Sequence, residues 1–324
     1  MVQYVLRRLF IAIPVLLGVT IINFIMMRMA PGNPVDMLVS PKLPDAAREA
    51  KMIELGLNEP AFVQFWSWLK NLVLHGDLGY SMITYEPVMN MILDRMGPTL
   101  LLMGSALVIG LAIAIPIGIL SATRQYTKLD YIFVTGSFLG ISIPNFFLGL
   151  VLVYVFSIQL GWLPSSGMRE LGGDGGFLTV LKHMLLPVIV LVFNVAGRNI
   201  RYVRSSMLEI LGQEYLRTAR AKGLKESLVI NRHAMRNALI PIVTVLGLEI
   251  PILFGGAVVI EQIFSWPGIG QLTMSSIMSR DYSTIMGLNL VAAFVVIMAN
   301  IATDITYAFV DPRIKNSYLG ANKR

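Results

Sequence analysis

Long apolar windows with few charged side chains recur along this chain, most of them separated by basic connections. A helix needs about 20 mostly apolar residues to cross the hydrocarbon core of a bilayer. Six windows meet or approach that length: Leu9–Met27, Thr99–Leu120, Ile132–Ile158, Phe177–Asn199, Asn237–Ile260 and Ile285–Phe309. The first follows Arg7 and Arg8; its apolar run is longer than a signal core and no small-residue cleavage pattern surrounds Arg28-Met29-Ala30, so it reads as an uncleaved span. Pro144 is expected to kink the third. The fourth carries Lys182 and His183 in its first third, both expected to snorkel to the outer interface. The expectation is an all-α integral membrane protein with six transmembrane helices and both termini on one side.

Charge decides which side. Arg7 and Arg8, Arg124 and Lys128, then Arg198, Arg201, Arg204, Arg217, Arg220, Lys222, Lys225, Arg232 and Arg236, and finally Arg313, Lys315, Lys323 and Arg324 fall on one face. Basic residues in short connections mark the cytoplasm, so both termini are expected there. The loops containing Gly161-Trp162-Leu163-Pro164 and Trp266-Pro267-Gly268 are expected outside. Residues 1–30 then form an N-terminal transmembrane helix, 31–97 an extracytoplasmic segment, 98–310 the core with a cytoplasmic loop over about 200–236, and 311–324 a cytoplasmic tail. In the outer segment Asp45 is placed to cap a helix ending near Gly56. Pro60 is placed to open a second one, with Phe62, Phe65, Trp66, Leu69, Leu72 and Val73 at helical spacing and Gly76 behind it. That helix is too short to span and is expected to pack on the bundle ends.

Composition fits this class. Of 324 residues 55% are hydrophobic and 14% charged, against about a quarter charged in soluble domains; mean hydropathy is +0.69. There is no cysteine, and His75, His183 and His233 lie too far apart for a metal cluster. The net charge of +7 raises nucleic acid as a partner, but the basic loop has no aromatic platform beyond Tyr215, so none is expected. No G-x-x-x-x-G-K-[ST] loop is present to cradle nucleotide phosphates.

The basic loop has start and stop signals. Glu214 opens a short helical pattern three residues before Arg217, Lys222 falls in its last turn, and Gly223 stands where a left-handed residue ends a helix. A second helix runs through Leu228, Arg232 and Arg236 into the fifth span, with Pro241 just inside it. Topology alone accounts for the bare charge count. A helix this short is expected to be stable mainly when docked in a partner's groove.

"EYLRTARAKGL" followed by "HAMRNALIP" resembles the cytoplasmic coupling loop of permease subunits in the bacterial oligopeptide/dipeptide family of ABC importers. The likeness extends over nearly the whole chain, through "YVLRRLFIAIPVLLGVTIINF", "APGNPVD", "GDLGYSM", "SMLEIL", "VVIEQIFSWPGIGQL" and "DITYAFVDPRIK". The resemblance implies an ABC importer type I permease fold in the bacterial inner membrane, in contact with membrane lipid. Its implied partners are a second homologous permease subunit, two cytoplasmic ATPase subunits that bind ATP and Mg, and an extracytoplasmic substrate-binding protein. No cofactor is implied for this chain. The ATPase-coupling role carries over to Glu214, Tyr215, Thr218, Ala219, Arg220, Ala221, Gly223 and Leu224, with His233, Arg236 and Asn237 bracing the return helix. Arg217, Thr218 and Ala219 stand where the broader importer pattern has a glutamate and two alanines, a departure the peptide branch shares, and Asn33 replaces the usual aspartate of the outer segment. Glu249 in the fifth span is expected to face the bundle interior or the paired permease, as a candidate for the substrate path or as a structural hydrogen bond between helices. The rival reading is an ion-coupled secondary transporter using Glu249, with Asp304 in the sixth span as the weaker carboxylate. An inverted repeat would favour that rival, and none is legible. A scaffold role is a third reading. The cargo is not legible.

Overall fold

The computed structural model describes residues 2–30, 32, 34–35, 45–170, 172 and 176–310. Within these, the side chains of residues 2–5, 45, 47, 236, 239–246, 248, 256 and 307–310 lie outside the description. The capping expectation for Asp45 and the assignment of the 311–324 tail therefore fall outside it.

The described chain is helical: α1 (Val2–Met29), α2 (Asp45–Glu54), α3 (Ala61–His75), α4 (Val88–Thr123), α5 (Lys128–Ser142), α6 (Asn145–Leu152) with a π-helical turn over Val153–Gln159, α7 (Phe177–Leu211), α8 (Glu214–Ala221), α9 (Met235–Ile263), α10 (Ile269–Met278) and α11 (Tyr282–Val310). Among the described residues four helices are long and apolar enough to span a membrane, α1 from Leu6, α4, α7 and α11, and five if α5 and α6 with its π turn make one broken span. α9, with 29 residues, carries the expected fifth window; the side chains of its residues 239–246 are outside the description.

The third window is not a kinked rod. Pro bars the preceding residue from helical geometry, and Ile143 accordingly sits at φ −78°, ψ 120°. α6 restarts at Asn145 with Pro144 as its N-cap, and the two halves bend by 96°, far beyond an ordinary proline kink. α3 matches its signals: Pro60 precedes it, and Gly76 closes it at φ 64°, with the Gly76 N–H on the Leu72 carbonyl at 2.9 Å and the Asp77 N–H on that of Asn71 at 3.4 Å.

The chain divides into two compact units. Among the described residues, one comprises those up to 5, those of 100–266 and those from 298 on; the other, those of 6–99 and 267–297. The larger unit is organised by an apolar cluster with Leu102 and Ala106 from α4, Leu186 and Val195 from α7, Ala257 and Ile260 from α9, and Phe264 and Trp266 beyond it. Trp266, in the loop expected on the outer side, is fully buried. His183 is buried as well and does not snorkel: its Nδ1 lies 3.1 Å from the Ser166 carbonyl, tying the 161–167 connection to α7. α5 and α7 approach backbone to backbone, because a Cβ on Gly140 would stand 2.8 Å from the Phe193 carbonyl and one on Gly197 2.9 Å from that of Ser137.

In the other unit the buried Asp281 caps the start of α11. Its carboxylate accepts from Thr284 Oγ1 at 2.7 Å, Ser81 Oγ at 2.5 Å and the Met82 N–H at 3.0 Å. The "GDLGYSM" stretch is thereby fastened to the base of α11, with Leu78 buried beneath it.

Candidate functional site

The basic loop is shorter than its sequence indicates. α7 does not end at Asn199, where the apolar window ends, but continues to Leu211, so Arg198, Arg201 and Arg204 belong to a helix and the loop proper starts at Gly212.

α8 then runs from Glu214 to Ala221, and its stop is geometrically complete. Gly223 adopts φ 76°, its N–H donates to the Arg220 carbonyl at 2.9 Å, and the Leu224 N–H reaches back to the Ala219 carbonyl at 3.4 Å. This is the paired arrangement in which a left-handed residue satisfies the last helical carbonyls. The chain resumes with a turn at Glu226–Leu228 and a π-helical turn over Val229–Ala234, and enters α9.

α8 is not waiting for a partner to give it a hydrophobic surface. Leu216 is 0% exposed and, with Ala219, packs on Val203 and Met207 of α7, Ala122 of α4, and Val229, Ala234 and Ala238 on the return. Burying one leucine in this way contributes about 1.5–3 kcal/mol. The expectation that α8 is stabilised mainly by a partner's groove is therefore corrected: its own chain anchors it.

Polar contacts close the loop on itself. Arg220 and Glu226 form an ion pair at 2.8 Å across the glycine turn. The hydrogen bonds between them hold the Glu226 carboxyl below the usual carboxylate range and the Arg220 guanidinium above its ordinary value. Asn237 Nδ2 donates to Tyr215 Oη at 2.7 Å and to the His233 carbonyl at 3.2 Å, joining α8 to the start of α9. Glu214 pairs with Arg217 at 2.9 Å on the exposed side. The side chain of Arg236 lies outside the described residues.

Of the residues singled out from sequence, Glu214, Tyr215, Thr218, Arg220, Ala221, Gly223, Leu224 and Asn237 come together on an exposed surface, while His233 is half-buried. Ala219 is turned inward and belongs to the packing. Beside the glycine turn, Gly223, Leu224, Lys225, Ser227, Leu228 and Asn231 line an open groove of about 470 Å³.

Two buried ion pairs brace the helices that carry the loop, and sequence reasoning missed both. Asp130 accepts a bidentate pair of hydrogen bonds from Arg204, Nε at 2.8 Å and Nη2 at 2.9 Å, with further bonds from the Ser121 hydroxyl and the Tyr126 N–H. It thus ties the end of α4 and the start of α5 to α7. Deeper along α7 and α9, Glu249 is 1% exposed; its Oε1 accepts from Asn199 Nδ2 at 2.9 Å and lies 3.2 Å from Arg198 Nε. Arg198 and Arg204, counted from sequence as topological charge, are structural cations. Asp130 sits two residues from Lys128 in a stretch read only for its basic residues, and no local pattern pairs it with a residue 74 positions on. Asp281 had a legible signal, an Asp immediately before a helix with Thr three residues later.

Comparison with known proteins extends these observations. A family model described as "Binding-protein-dependent transport system inner membrane component" matches residues 114–316, and the corresponding N-terminal model matches residues 1–103. The chain is 45% identical over 316 residues to the oligopeptide transport system permease protein AppB of Bacillus subtilis, covering 97% of this chain and 100% of that protein. It is 37% identical over 338 residues to the dipeptide transport system permease protein DppB of Escherichia coli K12, covering 98% and 99%. The glutathione transport system permease protein GsiC of Escherichia coli O6:H1 is 37% identical over 315 residues, covering 97% and 99%. Among solved structures, a chain of the MetNI methionine ABC transporter in an inward-facing conformation shares the fold with a TM-score of 0.57 at 18% identity, covering 69% of this chain and 97% of that one.

Proposed function

Because this chain belongs to the family of binding-protein-dependent transport system inner membrane components, we propose that its cargo is an oligopeptide or dipeptide. The chain is a multi-pass inner-membrane permease of an ABC importer, a transport component rather than an enzyme. That membership sets aside the ion-coupled transporter built on Glu249. The named relatives carry oligopeptides, dipeptides and glutathione, and the peptide reading follows the 45% identity to the oligopeptide permease.

In this reading six spans place both termini in the cytoplasm and residues 31–97 outside, supported by the basic asymmetry and by the length of α9 beside the four or five apolar spans. Half of the translocation path comes from this chain and half from a second, homologous permease. Two cytoplasmic ATPase subunits bind ATP and Mg, an extracytoplasmic protein delivers the cargo, and this chain holds no cofactor of its own.

The observation that carries the coupling role is the closed loop over Gly212–Ala234. It is anchored inward through Leu216 and Ala219, fixed in angle at Gly223, and leaves Tyr215, Thr218, Ala221 and Leu224 facing out beside an open groove. A rigid projection is what an ATPase needs in order to transmit its conformational state, since a partner that binds both states of the permease equally shifts neither. Glu249, the sequence candidate for the substrate path, is better supported as a brace between α7 and α9.

The test is uptake of labelled di- to pentapeptides into vesicles containing the assembled importer, with and without internal ATP. ATP-dependent uptake that requires the binding protein is expected. A binding protein that purifies with a non-peptide solute, and vesicles that accumulate that solute and no peptide, would overturn the peptide assignment while leaving the permease role intact.

A further inference from the structure

α3 is a helix with its apolar face turned the wrong way for a soluble segment. None of its residues is buried; Phe62, Trp66 and Val73 are 75%, 57% and 73% exposed. Their spacing of four and seven residues puts them on one stripe, and the Phe62 and Trp66 rings stack at 6.5 Å along it. The orientation is fixed from the other side. Gln64 donates to the carbonyls of Leu57 and Glu59 at 3.0 and 2.8 Å, Trp68 Nε1 donates to the Leu78 carbonyl at 3.2 Å, and the Phe65 ring lies 5.3 Å from that of Phe24.

A single soluble surface seldom leaves so many large apolar side chains contiguous and bare. The contact with Phe24 says what covers them. α1 is long and apolar enough to span a membrane, and with only 11% of its apolar window buried within this chain it has a wide apolar surface to present to lipid. Phe24 lies five residues before its end, about 7 Å along the axis, at the depth where hydrocarbon gives way to headgroups. α3, docked on Phe24, sits at that depth. Its 15 residues extend about 22 Å, too short to cross. Its stripe has the composition of an interfacial helix, with Trp and Phe inward and Lys70 at the edge with a stem long enough to reach phosphate. Arg28, with its guanidinium 5.8 Å from the Phe24 ring, adds a cation at the same level.

We propose that α3 lies in the plane of the membrane–water interface, with Phe62, Trp66 and Val73 inserted among phospholipid acyl chains and Lys70 and Arg28 at the phosphates. The site is a lipid-binding face of the extramembrane segment, separate from the coupling loop.

The absence of cysteine makes the test direct. Single cysteines at Phe62, Trp66 and Val73, and at Ser67 and Asn71 on the opposite side, are spin-labelled in the assembled importer, reconstituted in vesicles of phosphatidylethanolamine and phosphatidylglycerol. Power saturation is expected to give a several-fold higher ratio of oxygen to aqueous-nickel accessibility at the first three positions than at the last two. Equal, water-like accessibility at all five would overturn the proposal. So would labels at 62, 66 and 73 that become shielded only when the binding protein is added, which would make the stripe a protein-docking face. A milder variant guards against a labelled chain that does not fold: Trp66→Phe is expected to lose part of the fluorescence quenching caused by lipids brominated near the headgroup. Unchanged quenching would count against the proposal.

Discussion

Gly223 stands at φ +76° with no atom within 4 Å of the point where a Cβ would sit. Any penalty for replacing it is therefore backbone strain and not collision. A β-branched residue forced into that region costs roughly 1–3 kcal/mol, whereas asparagine tolerates it. Gly223→Val is expected to insert in the membrane at normal level but to co-purify poorly with the ATPase or to uncouple hydrolysis from uptake, and Gly223→Asn to behave nearly as the parent. Equal ATPase association and uptake for all three proteins would remove the glycine from the mechanism. The pair between Arg198 and Glu249 gives a second residue-scale expectation. Removing one partner of a buried ion pair costs about 3–5 kcal/mol because the other is left uncompensated. Glu249 is 1% exposed and Arg198 24%, and Arg198 keeps a hydrogen bond to Asn194 at 2.7 Å. Arg198→Met should therefore lower the melting temperature in detergent more than Glu249→Gln, and the double variant should recover part of the loss. The reverse order would mean that the carboxylate is not charged in the folded protein.

At the scale of elements, α5 and α7 are held by proximity as much as by apolar area. Gly140 and Gly197 face each other's helix with carbonyls under 3 Å from where a Cβ would be, the small-residue packing that lets helices associate in lipid without a hydrophobic driving force between them. Gly197→Leu must push the backbones apart, at a cost of typically 1–3 kcal/mol or more for overpacking. It should reduce the folded fraction recovered from membranes and loosen the Asp130–Arg204 tie farther along α7. A variant that melts like the parent would show that the helices are not in contact there. The bend at Pro144 belongs to this scale too. A proline was legible as a kink, but the 96° turn was not, because the residue before proline and the restart at Asn145 set it together.

For the whole molecule, what the sequence made legible followed from how local the physics was. Spans follow from runs of apolar residues, and the ends of α3 and α8 from Pro60, Gly76 and Gly223, all readable within a few positions. Buried partners were not legible: Arg204 with Asp130, Arg198 with Glu249 and Ser81 with Asp281 join residues 74, 51 and 200 positions apart, counted from their numbers. The burial of Trp266 was not legible either, because its neighbours Pro267 and Gly268 mark only a loop. Topology is the global property that the basic asymmetry addresses. A cysteine at Lys51 should react with an impermeant maleimide only from the extracytoplasmic side, and one at Lys222 only from the cytoplasm. Labelling of Lys51→Cys from the cytoplasm alone would invert the assignment.

α7 has a mechanical consequence that comes from its length. Its 35 residues make a rod of about 52 Å, running without a break from the apolar core to the glycine at the foot of the loop. α9 returns from the same loop as a second rod, and the Glu249 cluster is a cross-strut between the two. Tilted as one body, such a frame converts angle into distance, and Pro187 inside α7 is its weak point. A tilt of about 5° at one end of a rod this long displaces the other by roughly 4–5 Å, nearly one helical turn. If the loop couples an ATPase to the spans, the number of residues in α7 sets the gearing between a small rotation at one and a larger movement at the other.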